Sequence, residues 1–158
     1  MKTKEIISLI VAIITCQAAG IVGSIFTASK IPTWYKGLIK PALNPPSWVF
    51  GPVWTTLYLL MGIALYIIWK KGLNTEGVKF ALTIFAVQLI LNALWSIVFF
   101  NMENLGLALI NIVLMWISIL WTIVLFYRLS PTAGLLLIPY ILWVSFASYL
   151  NYAIWTLN

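Results

Sequence analysis

Val78-Lys79-Phe80-Ala81-Leu82-Thr83-Ile84-Phe85-Ala86-Val87-Gln88-Leu89-Ile90-Leu91-Asn92-Ala93-Leu94-Trp95-Ser96-Ile97-Val98-Phe99-Phe100 decides the fold. After Lys79 the run holds no charge, and its strongly polar side chains are two amides, Gln88 and Asn92. A helix rises about 1.5 Å per residue, so such a run crosses a hydrocarbon core about 30 Å thick. Further stretches read the same way at 5–27, 46–69, 105–127 and 131–155. With 63% hydrophobic and 8% charged residues, the 158-residue chain lacks the polar surface needed to coat a water-soluble globule. The expected fold is an all-α membrane protein, a single domain over 1–158 with five transmembrane helices. A long first loop, from Ala28 to Pro45, is expected between the first two. A β-barrel would need segments of about ten residues alternating polar and apolar, and these runs are continuous.

Five spans place the N-terminus and the second and fourth loops on one side, with Lys2, Lys4, Lys70, Lys71, Lys79 and Arg128. The other side carries Lys30, Lys36 and Lys40. The excess of cations predicts a cytoplasmic N-terminus and an outer C-terminus. A cleavable signal peptide ending near Ala18-Ala19 is the alternative for the first stretch. Apolar character continuing from Gly20 to Phe26 favours a retained span.

The net charge of +6 is divided between loops on both faces, which argues against nucleic acid as a partner. There is no histidine, and Cys16 is the only cysteine, so a Cys/His metal site or an internal disulfide has no material. No Asp or Glu lies at depth in a span, which weighs against proton-coupled antiport, voltage sensing and ordinary hydrolysis. The polar residues at depth are Gln17, Gln88, Asn92, Asn111 and Asn151, each expected to turn inward and find a partner.

Tryptophan commonly anchors helices at the membrane interface, and Trp69, Trp116, Trp121 and Trp155 are read that way. Other tryptophans share faces with polar groups. Gln88, Asn92, Trp95 and Phe99 follow i, i+4, i+7, i+11; Trp143, Ala147, Leu150 or Asn151, and Ile154 do the same; Trp54 and Tyr58 lie one turn apart. These stripes either form packed core or line a flat apolar cavity with a few donors. Pro45-Pro46 suits the first turn of the second helix, and Pro52 and Pro139 are expected to kink theirs. Ala19 with Gly23, and Gly20 with Ser24, make small-xxx-small pairs for close helix approach.

Several blocks together resemble the translocator protein family, also called tryptophan-rich sensory proteins. They are Trp34-Tyr35 through Lys40-Pro41, Pro45-Pro46 with Trp48, Gly51-Pro52-Val53-Trp54-Thr55-Thr56-Leu57-Tyr58, Asn92-Ala93-Leu94-Trp95 with Phe99-Phe100, and Pro139-Tyr140-Ile141-Leu142-Trp143 through Asn151-Tyr152. The resemblance implies a five-helix bundle, a homodimer in the lipid bilayer, with a pocket beneath the first loop for porphyrins, haem and isoquinoline carboxamide or benzodiazepine ligands. It assigns Trp54, Trp95, Trp143, Ala147 and Leu150 to the pocket wall, Ser24, Phe50 and Asn92 beside it, and Tyr35 and Pro45 to the closing loop. It implies sensing, sequestration or transport of a tetrapyrrole, with no obligatory cofactor and no metal site. As an alternative it implies light- and oxygen-dependent degradation of protoporphyrin IX, with Trp54 and Trp143 as the catalytic residues. Lys36 or Lys40 would meet propionates at the mouth, or stand solvated. Two features depart from animal members: nothing basic follows Tyr149 or Tyr152, which speaks against cholesterol, and no histidine offers haem an axial ligand. The expected location is a bacterial cell membrane.

Overall fold

The computed structural model describes residues 3–158. Lys2, counted in the charge balance, lies outside the described residues. Long helices are α1 (Thr3–Thr27), α2 (Phe50–Trp69), α3 (Val78–Ser96), α4 (Leu105–Leu129) and α6 (Ile138–Leu157), with a short α5 (Pro131–Leu135) before the last. A 3₁₀ turn at Ser47–Val49 leads into α2, and a π turn at Ile97–Asn101 extends α3. With these extensions, five helical segments are long and apolar enough to cross a membrane: Thr3–Thr27, Ser47–Trp69, Val78–Asn101, Leu105–Leu129 and Pro131–Leu157. The protein is an integral membrane protein. Its outer faces carry exposed Ile14, Ile25, Ile90, Ile110 and Leu142, the apolar side chains that a lipid environment accepts.

The spans close into a ring. α1 packs on α2 and α3, α3 on α4, α4 on α5 and α6, and α5 returns to α2. Gly62 permits close backbone approach of α1 to α2, since a Cβ there would stand 2.6 Å from Ile13 Cα and 3.1 Å from its backbone nitrogen. Hydrophobic driving force between helices is absent in lipid, so such close backbone contact carries much of the association.

Expectations for the first connector and for two prolines are corrected. The stretch from Ala28 to Pro45 is not a plain long loop: Ile31–Tyr35 forms a π-helical turn running on into Lys36 and Gly37, and further turns follow. Pro52 does not kink α2. The helix proper starts at Phe50, one turn later than expected, so Pro52 falls in the first turn, where a missing N–H costs little. Pro139 likewise sits in the first turn of α6, and the fifth span is broken at Leu136–Leu137 instead of bent at the proline.

Connections are pinned by polar contacts. Asn104 caps α4 by accepting from the Leu107 amide at 2.9 Å. Before it, Glu103 adopts a left-handed backbone (φ 53°) and pairs with Lys30 at 2.5 Å, tying the first connector to the third. At the opposite end Lys70 pairs with Glu5 at 2.7 Å, which raises the Lys70 pKa. Trp69, Trp121 and Trp155 are exposed. Trp116 is not an interface anchor: it lies near the middle of α4 and donates to Ser145 Oγ of α6 at 2.8 Å.

Gly62→Leu is expected to force α1 and α2 apart and destabilise the fold by about 1–3 kcal/mol, the usual range for overpacking. Thermal unfolding in detergent, read by near-ultraviolet circular dichroism, checks this; an unchanged midpoint contradicts it.

Candidate functional site

In the half of the bundle beneath the first connector, the helices part around a cavity of about 490 Å³. Each of the five spans contributes one stripe to its wall. From α1 come Gln17, Gly20, Gly23 and Ser24; from the second span Phe50, Gly51, Trp54 and Tyr58; from the third Asn92, Trp95, Ser96, Phe99 and Phe100. The fourth gives Ile112 and Met115, and the fifth Trp143, Ala147, Leu150, Asn151 and Ile154. Tyr35 and Ile31 of the connector complete the wall, with Tyr35 buried.

The cavity floor is a chain of neutral hydrogen bonds. Tyr58 donates its hydroxyl to Asn92 Oδ1, Asn92 Nδ2 donates to the Tyr140 hydroxyl at 2.9 Å, and Tyr140 donates to Gln88 Oε1 at 2.8 Å. Asn92, 4% exposed, thereby joins α2, α3 and α6. Gly20 makes room for this chain, since a Cβ there would stand 2.7 Å from Tyr58 Cδ2. A second link joins α3, α6 and α4: Trp95 Nε1 donates to Asn151 Oδ1 at 3.0 Å, and Asn151 Nδ2 to the Leu105 carbonyl at 2.9 Å.

Aromatic rings fix one another around the space. Trp54 stacks on Tyr58 with centroids 5.6 Å apart and meets Tyr140 edge-on at 6.2 Å. Phe50 stands edge-on to Trp143 at 6.0 Å, and Trp95 lies 4.9 Å from Phe99. Among the described residues, the indole N–H of Trp143 is buried without a hydrogen-bond partner. A buried donor left unpaired is costly, and this one belongs to a residue of the cavity wall.

The connector forms a roof. Trp34 meets Phe99 and Phe100 edge-on at 5.7 and 6.3 Å, and Tyr35 donates to Asn44 Oδ1 at 3.1 Å. Lys40 places its ammonium 4.7 Å from the Tyr35 ring centroid and donates to the Leu38 carbonyl at 2.9 Å. Burial raises the Tyr35 phenol's pKa, with the Asn44 contact acting the other way, and desolvation lowers that of Lys40. The Asn158 side chain clasps Ile39, accepting from its amide and donating to its carbonyl, both at 2.9 Å.

Of the residues singled out from sequence, Ser24, Tyr35, Phe50, Trp54, Asn92, Trp95, Trp143, Ala147 and Leu150 share this one wall. Pro45 does not; its carbonyl accepts from Asn44 at 3.1 Å in the roof. Lys36 and Lys40 also stay off the wall. Gln17, Gly20, Ile112 and Met115 are additions. Gln17 was legible as an amide at depth, whereas Ile112 and Met115 are indistinguishable in sequence from packing residues.

A sequence profile of the TspO/MBR family matches residues 12–156. The chain belongs to the TspO/MBR family. It is 46% identical over 155 residues to the Tryptophan-rich protein TspO of Chlorobaculum tepidum, covering 98% of both chains. It is 47% identical to the Tryptophan-rich protein TspO of Archaeoglobus fulgidus over 98% of this chain and 99% of that one. It is 42% identical over 138 residues to the Homo sapiens Translocator protein, spanning 87% of this chain and 82% of that one. In this TspO/MBR member, Trp54, Trp95, Phe99, Phe100 and Trp143 lie on the cavity wall and Trp34 in its roof.

Asn92→Leu removes the acceptor for Tyr58 and the donor for Tyr140 together. The expected loss of stability is about 1–3 kcal/mol, the range for orphaned buried polar groups. Asn92→Asp, which keeps the Tyr58 acceptor, should retain more of it; chemical denaturation in mixed micelles ranks the pair, and the reverse ranking contradicts the network.

Proposed function

We propose that the chain binds a tetrapyrrole within this cavity and acts in its sensing, sequestration or transport. The observation that carries the reading is an uncharged cavity walled by Trp54, Trp95 and Trp143. Sites of roughly 300–1,000 Å³, apolar with a few fixed polar groups, are typical for small ligands. Flat rings gain about 0.5–1.5 kcal/mol per aromatic contact beyond area burial. With no imidazole in the chain, metal-free porphyrin is favoured over haem, and isoquinoline carboxamides or benzodiazepines, aromatic and largely apolar, suit the same wall. The reading extends to a homodimer in a bacterial cell membrane with the N-terminus cytoplasmic. That orientation is supported by Lys4, Lys70, Lys71, Lys79 and Arg128 against Lys30, Lys36 and Lys40.

Titration with protoporphyrin IX, followed by quenching of tryptophan fluorescence, tests the site. Trp143→Phe combined with Trp95→Phe should weaken binding about tenfold or more, the equivalent of roughly 1.4 kcal/mol lost from stacking. Unchanged affinity would count against the cavity.

A second reading rests on Trp54 and Trp143 facing one cavity: dioxygen oxidises light-excited porphyrin bound between them to an open-chain product. Under illumination the protein should then bleach protoporphyrin IX faster than detergent alone, and Trp54→Phe with Trp143→Phe should abolish the excess. Equal bleaching with and without protein removes this reading.

A further inference from the structure

The wall of the cavity is unevenly closed. Its lining residues on the third, fourth and fifth spans are all buried or half-buried, including Asn92, Met115, Trp143 and Ala147. The exposed lining residues stand on α1 and its end (Ile21, Ser24, Ala28) and on the start of the second span (Ser47, Trp48, Gly51, Thr55). Ile21 is 61% exposed and Trp48 75%. The opening therefore follows the seam between these two helices.

Depth along the helices places that seam in the bilayer. At about 1.5 Å per residue, Ile21 lies roughly 9 Å and Gln17 roughly 15 Å from the Thr27 end of α1. Thr55 lies roughly 12 Å from the Ser47 end of the second span by the same measure. Gln17 Nε2 donates to the Thr55 carbonyl at 3.0 Å, and below it Gly62 meets Ile13, so the seam is shut from mid-core downward. Above that sill no hydrogen bond joins the two helices among the described residues.

The water-facing side contrasts with this. To open it, the roof must break the Lys30–Glu103 ion pair, both Asn158–Ile39 hydrogen bonds, the Tyr35–Asn44 hydrogen bond and the Trp34 and Tyr35 packing on Phe99 and Phe100. Parting the seam costs no comparable set of bonds.

We infer that the cavity loads sideways, from the acyl-chain region of the bilayer through the α1–α2 seam, with Ile21, Ser24 and Trp48 at its rim and Gln17–Thr55 as its sill. The guest class is accordingly a flat, membrane-dissolved amphiphile. For porphyrin as cargo this rests on the function proposed above; the geometry of the opening does not.

The test uses the full chain in phosphatidylcholine nanodiscs. Protoporphyrin IX is dissolved in the lipid and its association and dissociation are followed by stopped-flow fluorescence. Ile21→Trp and, separately, Ser24→Leu fill the rim; both should slow association and dissociation about tenfold. Glu103→Gln with Asn158→Ala loosens the roof and should leave both rates unchanged. If loosening the roof accelerates association while filling the rim does not slow it, the inference is overturned. A second measurement needs no porphyrin: a small aryl diazirine dissolved in the same bilayer is photolysed and its insertion mapped by mass spectrometry. Carbene insertion at Trp143 and Ala147 should fall several-fold in Ile21→Trp, with lipid-facing Leu142 as the unchanged internal reference. Insertion at Trp143 and Ala147 unaffected by either rim variant overturns the seam. Absence of porphyrin binding in the unmodified chain removes the tetrapyrrole reading, and the diazirine result still decides the route.

Discussion

Inside a bilayer, a polar side chain has no water to turn to, and that constraint arranges the whole molecule. Asn92 meets it by accepting from Tyr58 on α2 and donating to Tyr140 on α6, while its own helix is α3. One residue thus fixes the relative rotation of three helices. Asn151 does the same for α3, α4 and α6 through Trp95 and the Leu105 carbonyl. Because both nodes sit at the cavity wall, the contacts that hold the bundle together also shape the space inside it.

Each intramembrane hydrogen bond is modest, averaging about 0.6 kcal/mol in measured cases. The bundle relies on them for angle more than for strength. Close approach at Gly62 and Gly20 supplies the packing, and Gly20 in addition leaves the space that the Tyr58 ring occupies. Gly20 was expected to pair with Ser24 for close backbone approach, and it proves instead to seat the Tyr58 side chain; the backbone approach falls at Gly62, which the sequence reading did not single out.

Much of this was legible because helical spacing is regular. Asn92, Trp95 and Phe99 fall on one face by arithmetic alone, as do Trp143, Ala147 and Ile154, and the structure aligns both stripes with the same cavity. Local chemistry at helix starts was harder to read. Proline is equally compatible with a kink and with a first turn, and at Pro52 and Pro139 the deciding factor was where the preceding residues stopped being helical. Trp116 was read as an interface anchor because tryptophan commonly takes that role; its partner, Ser145, lies 29 positions away and leaves no local trace. Ile112 and Met115 carried no signal at all, since a cavity wall and a packed core ask for the same apolar side chains.

The π turn at Ile97–Asn101 has a further consequence for the geometry of α3. More residues per turn bring neighbouring positions closer in direction, and Phe99 and Phe100, adjacent in sequence, are both buried there. The end of this span is consequently broader on its inner side than an α-helix would be, offering two rings where regular winding would aim one of them further aside.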